Sequence, residues 1–141
     1  MGLHISDELR LQIRHDSQAM CGYCQTQEAI IGLPLQIDHI LPTSKGGGTI
    51  RENLWLACVT CNRQKSNSTH YPDPETNTES PLFNPRQDSW GAHFQWDDSN
   101  IRIIGITPTG RATIACLDMN NALIVRARFR WVQAGWHPPS E

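Results

Sequence analysis

The chain has 141 residues, is 38% hydrophobic, and carries five cysteines and a formal net charge of −2. That length suits one domain with a modest core, which often needs a staple such as a disulfide set or a metal. No apolar run approaches the roughly 20 residues that span a membrane, and Met1 to Ser6 lack a basic segment followed by an apolar run. The expected setting is therefore soluble and cytoplasmic. There thiols stay reduced, and paired Cys-x-x-Cys favours metal over disulfide.

In chain order, residues 6–15 are expected as a short helix. Ser6 is a fair N-cap, Asp7 and Glu8 suit the first turn, and Leu9 and Ile13 lie four apart on one face. Cys21-Gly-Tyr-Cys24 is expected as a tight knuckle in which Gly22 lets the backbone turn. Residues 35–40 read as a strand, Pro42 breaks it, and residues 43–50, with three consecutive glycines, read as a flexible loop. Residues 54–58 form the returning strand, and a helix over 60–66 carries Asn62 and Lys65.

Residues 67–81 are polar and proline-rich, and an exposed linker is expected at 71–81. Beyond it, 94–96 and 101–106 look like a hairpin joined by Asp97-Asp-Ser-Asn100. Thr107 or Thr109 is expected to cap a helix over 111–117, and a second helix covers 121–133. Cys116, in an apolar stretch, is expected as a core thiol. The segments are thus 1–70, the linker, and an extension over 82–141 that packs on the first part.

Charge is unevenly placed. Residues 39–70 carry +3, from Lys45, Arg51, Arg63 and Lys65 against Glu52, whereas 71–100 carry −5. Residues 101–131 carry +4, from Arg102, Arg111, Arg126, Arg128 and Arg130 against Asp118. A phosphate backbone responds to local potential rather than to the whole-chain sum. Arg126, Arg128 and Arg130 suit either a phosphate backbone or salt bridges to the acidic linker.

The cysteines at 21, 24, 58 and 61 have the spacing C-x2-C-x33-C-x2-C. Two close pairs of thiolates fit tetrahedral Zn²⁺, in a closed site with no open position for water. An iron–sulfur cluster or a redox dithiol is the other chemistry of such pairs. Two symmetric pairs with charged residues downstream favour zinc. Between the pairs lie Asp38 and His39, whose side chains would face opposite ways on an ideal strand. Serving one site together requires the strand to distort there.

Cys-x2-Cys, Ile37-Asp-His-Ile40, Gly46-Gly-Gly-Thr49, Glu52-Asn-Leu54 and Cys58-x2-Cys-Asn-x2-Lys65, in this order, resemble the HNH endonuclease family over about residues 21–67. The resemblance implies a ββα-metal core, in an α+β chain, stapled by structural zinc on Cys21, Cys24, Cys58 and Cys61. The family's three letters fall on His39, Asn53 and Asn62, with asparagine in the last place, a variant that the family also uses. It implies hydrolysis of DNA phosphodiesters, with His39 as general base and Asp38 and Asn62 holding one Mg²⁺ or Mn²⁺. Asn53 would bond loop backbone and hold the histidine, whose second ring nitrogen would meet a backbone carbonyl. Lys45, Arg51, Arg63 and Lys65 are candidate phosphate contacts. A dimer is compatible with this reading, since one active site cuts one strand. The rival reading is a non-catalytic zinc module that binds nucleic acid or protein.

The second half resembles an extension that follows the HNH core in a group of bacterial, often cyanobacterial, proteins. Phe83, Trp90, Phe94 and Trp96 are expected as core or packing residues between the extension and the nuclease half, and Arg86, His93 and Arg111 are a candidate second substrate-contacting cluster.

Overall fold

A computed structural model describes residues 4–140. Met1 to Leu3 and Glu141, the outer ends of the expected segments 1–70 and 82–141, lie outside the described residues. The chain is α+β, with helices and three two-stranded antiparallel sheets among the described residues. It divides into two compact units: the described residues of Met1–Thr69 with Asn84–Gln87, and those of His70–Phe83 with Asp88–Glu141.

The first unit begins with α1 (Asp7–Asp16), where Ser6 Oγ accepts the Leu9 N–H and satisfies one of the first turn's unpaired donors. Ile13 is fully buried, and with Leu35, Leu54 and Leu56 it forms the unit's apolar core, against which Leu9 and Ile37 pack. A short helix, α2 (Glu28–Ile31), follows the knuckle. Then come β1 (Gln36–His39), β2 (Leu54–Ala57) and α3 (Val59–Lys65). The two strands pair from Gln36 opposite Ala57 to His39 opposite Leu54. Hairpin followed by helix is the expected ββα order. The ladder runs regularly through Asp38 and His39, so the expected local distortion is absent.

Gly22 has its own reason to be glycine. Its φ is not positive, but a Cβ there would collide with the Trp55 ring and Pro85. The need is for space rather than for a left-handed turn.

The second unit holds β3 (His70–Pro72), β4 (Glu79–Pro81), α4 (Trp90–His93), β5 (Phe94–Trp96), β6 (Ile103–Gly105), α5 (Pro108–Leu117) and α6 (Ala122–Ala134). The stretch expected as an exposed linker is therefore a hairpin, with His70 opposite Pro81 and Pro72 opposite Glu79. Its physical reason is Asp73, which is fully buried in the turn. The Asp73 carboxylate accepts both Nε and Nη2 of Arg111 on α5 at 2.9 Å, the Glu75 N–H at 3.0 Å and the Thr76 hydroxyl at 2.9 Å. Most of the stretch is exposed, as composition suggests, but Asp73 and Ser80 are buried, and a bidentate pair with a residue 38 positions away holds the turn.

Thr107 rather than Thr109 caps α5, accepting the Gly110 N–H, and Asn121 caps α6, accepting the Ile124 N–H. Thr109 instead lends its carbonyl to the Thr113 hydroxyl. Within this unit Phe83, Trp90, Phe94 and Trp96 form a chain of ring contacts with centroids 5.1–5.6 Å apart. Cys116 is buried in α5. Arg128 is fully buried and donates to Ile101 O, Met119 O and Asn120 Oδ1. It ties α6 to the β5–β6 hairpin's approach and is not placed to meet a phosphate. Arg111, not the α6 arginines, pairs with the acidic stretch.

Arg111 holds the Asp73 carboxyl well below the usual carboxylate range. Because the folded value is depressed, the pair's stabilisation is fully present above the unfolded value, about 3.9, begins to fall below it, and is lost as pH falls through the lower folded value. Asp73→Asn is expected to melt below the parent at pH 7, with the gap narrowing by pH 3. Thermal melts followed by circular dichroism at both pH values check this, and a gap that does not change would argue against the charge pair.

Candidate functional site

The four thiols at 21, 24, 58 and 61 come together, every sulfur lying within 4.8 Å of the others. Local bonds shape each pair. In the first, the Cys21 N–H donates to Thr26 O and the Gln25 N–H to Cys21 O. In the second, Cys58 is the N-cap of α3, its sulfur accepting the Cys61 N–H at 3.4 Å. The Gly22 N–H donates to Leu56 O at 2.9 Å, which fixes the knuckle to β2. Cys21, Cys24 and Cys61 are buried. Hydrogen bonds from the other three cysteines, led by Cys21, draw the Cys24 thiol down, whereas burial first of all pushes Cys21 up. Four converging sulfurs in a compact shell fit a tetrahedral soft ion such as Zn²⁺. A bound zinc would hold the knuckle to the start of α3 and so close a long loop.

Tyr23 lies inside the knuckle and is fully buried. Its hydroxyl donates to Asp38 Oδ2 at 2.7 Å. The other carboxylate oxygen, Oδ1, accepts from Lys65 Nζ at 3.3 Å. Lys65 also donates to His39 O at 3.0 Å and Ile40 O at 3.2 Å. All three ammonium donors are thereby used on one segment of β1 and its continuation. Asp38 is 4% exposed and Lys65 2%. Burial pushes the Asp38 carboxyl above its ordinary value, with the Lys65 charge and the Tyr23 bond pulling the other way.

His39 is half-buried, with Nε2 hydrogen-bonded to Thr49 Oγ1 at 3.0 Å. The partner is a hydroxyl in the glycine loop rather than the expected backbone carbonyl. Asn53 bonds the backbone of the loop. Its amide donates to Leu41 O at 3.0 Å and Gly48 O at 2.9 Å, and its Oδ1 accepts the Leu41 N–H at 2.8 Å. It therefore pins the loop that carries Thr49. Gly47 allows this approach, since a Cβ there would run into Leu41 O. Asn62, on α3, donates to Gln36 Oε1 at 2.8 Å.

On the regular strand Asp38 and His39 face opposite ways, and Asn62 meets Gln36 at the other end of β1, so the expected convergence of the three on one ion is not seen. The carboxylate of Asp38 and the amide oxygen of Asn62 suit a hard divalent ion in kind. An ion would share the Asp38 carboxylate with Tyr23 and Lys65. Of the four candidate phosphate contacts, Lys45 and Arg63 are exposed. Lys65 is not a surface cation, because its charge neutralises Asp38 inside the unit. Arg51 is exposed but bonded through Nε and Nη2 to Asp16, which also takes Arg86 Nη2 at 2.6 Å. These two arginines, Arg51 first, hold the Asp16 carboxyl well below its usual range.

Arg86, His93 and Arg111 each have a partner within their own unit. Arg86 belongs to the first unit, pairing with Asp16 and stacking 4.9 Å over Trp55. His93 Nδ1 is bonded to Thr107, and Arg111 is engaged by Asp73. Three residues that sequence reasoning passed over join the site: Tyr23, Gln36 and Thr49. Tyr23 sits between two ligand-spaced cysteines and Thr49 closes the glycine motif, but no spacing rule reveals that either reaches β1.

Residues 21–68, about one third of the chain, match the family model of the HNH endonuclease. No curated protein and no solved structure matches the chain. Among the described residues no helix is long and apolar enough to cross a membrane.

Two outcomes are expected. Purified protein should carry about one zinc per chain by elemental analysis, and stripping it with a strong chelator should lower the melting temperature. Lys65→Met should cost about 3–5 kcal/mol in urea unfolding, by leaving the Asp38 carboxylate buried without its counter-charge. Arg63→Ala should stay within about 0.5 kcal/mol.

Proposed function

We propose that the chain is a metal-dependent endonuclease of the HNH kind that hydrolyses DNA phosphodiesters. The observation that supports it best is the position of His39. It ends the first strand of a hairpin, its ring is bonded to Thr49, and the helix that follows the hairpin brings Asn62 beside the same strand.

Each residue's part follows from its contacts. In the tautomer whose Nε2–H donates to Thr49 Oγ1, Nδ1 keeps its lone pair and can take a proton from water. Asn53 holds the Leu41 and Gly48 carbonyls, and so keeps the loop bearing Thr49 against the histidine. Asp38 and Asn62 would hold the hard ion. Mg²⁺ or Mn²⁺ held there would supply positive charge to offset the negative charge developing on the phosphodiester during cleavage. Lys65 neutralises Asp38 and holds the carbonyls of His39 and Ile40, which fixes the backbone that presents the imidazole. Lys45 and Arg63 remain as exposed contacts for the phosphate backbone. The four cysteines, as a closed zinc site, serve the frame and not the chemistry.

A plasmid nicking assay in Mg²⁺, Mn²⁺ and Ni²⁺ tests the reading. The parent should nick, and His39→Ala should fall by at least about 100-fold while keeping its zinc content and melting temperature. Cleavage by that variant at the parent rate would remove His39 from the mechanism. DNA binding without cleavage in all three metals would favour the non-catalytic module instead.

A further inference from the structure

We infer that Tyr23 is a positioning residue for the Asp38–His39 centre, setting the Asp38 carboxylate for the hard ion and linking it to the thiol site. The inference rests on the proposed function, and names a residue to which neither motif nor fold assigns a part.

Three observations carry it. First, Tyr23 is placed by the thiol site itself. It lies between Cys21 and Cys24, so that its backbone follows wherever those two sulfurs are held. Second, the residue is fully buried, yet its hydroxyl makes a short bond of 2.7 Å to Asp38 Oδ2. A phenylalanine would fill the same ring space without bringing a polar atom inside, where a hydroxyl costs stability unless it is paired. Third, Asp38 is gripped from two directions. Tyr23 holds Oδ2, and Lys65 holds Oδ1 together with the carbonyls of His39 and Ile40. Lys65 divides its ammonium between Oδ1, at 3.3 Å, and the two carbonyls, at 3.0 and 3.2 Å. The rigid phenol is the contact that sets the rotation of the carboxylate.

A carboxylate that binds a metal is normally oriented by an outer hydrogen bond, and losing such a partner weakens metal affinity by about 10–100-fold. Tyr23 has the geometry of that outer partner. It also gives the thiol site a route to the chemistry. If the knuckle shifts, the Asp38 carboxylate loses one of its two side-chain donors.

The test is Tyr23→Phe in the full chain, with zinc content, melting temperature, Mn²⁺ affinity by water-proton relaxation without DNA, and nicking rate as readouts. Zinc content should be unchanged, Mn²⁺ affinity should weaken by about 10-fold, and raising Mn²⁺ should restore part of the nicking rate. In an Asp38→Asn background, Tyr23→Phe should weaken Mn²⁺ binding no further, because the two act through one bond. Parent-like Mn²⁺ affinity in Tyr23→Phe, or losses that add in the double variant, would overturn the positioning role and leave the nuclease reading intact. A parent chain that neither binds Mn²⁺ nor nicks DNA would overturn both. If Tyr23→Phe alone lost zinc, the cycle on Asp38 would still decide, since purely structural damage adds to the Asp38→Asn loss.

Discussion

Four sulfur atoms within 4.8 Å of one another join two points of the chain that are 34 positions apart. The first pair sets Tyr23 and, through Gly22, docks the knuckle on β2. The second pair starts α3, and seven positions after Cys58 that helix delivers Lys65. Tyr23 and Lys65 then meet the two oxygens of one carboxylate, Asp38. The site is therefore anchored from both ends of its own motif, by side chains whose positions the thiol cluster decides. A small apolar core of Ile13, Leu35, Leu54 and Leu56 packs on the hairpin, and a metal clip across the long loop suits a core of that size.

Buried charge has reorganised the electrostatics that composition suggests. The positive block of residues 39–70 counts four cations, yet Lys65 is spent on Asp38 and Arg51 is bonded to Asp16. Lys45 and Arg63 are left as exposed cations of the motif region. In the second unit Arg111 and Arg128 are likewise internal, the one bound to Asp73 and the other to three backbone and side-chain oxygens. A charge count along a chain treats each cation as solvated. Ion pairs between distant residues withdraw several of them from any phosphate.

Much of the fold was legible because its signals are local. Ser6, Thr107 and Asn121 cap helices through their own side chains, and the hairpin of β1 and β2 follows from two short apolar strands around a proline and glycine loop. The hairpin of β3 and β4 was not legible. Its stretch is polar and proline-rich, and the bond from Asp73 to Arg111 joins residues 38 positions apart. The candidate site divides the same way. Cysteine spacing reveals the thiol cluster, and the role of Asn53 agrees with its three loop bonds. The partners of His39 and Asp38 do not show in spacing, because a side chain on a strand gives no sign of what stands opposite it.

The sequence by itself determined the ligand types, their order and the elements that carry them, since these depend on residue chemistry and on neighbours a few positions away. Tertiary structure alone decided what each charge faces. Lys65 could have been a surface cation until α3 packed on β1, and Arg86 could have been a ligand contact until it met Asp16, 70 positions earlier. Whether a polar group ends in water or against a partner is settled by packing between distant segments, and burial then makes that pairing obligatory.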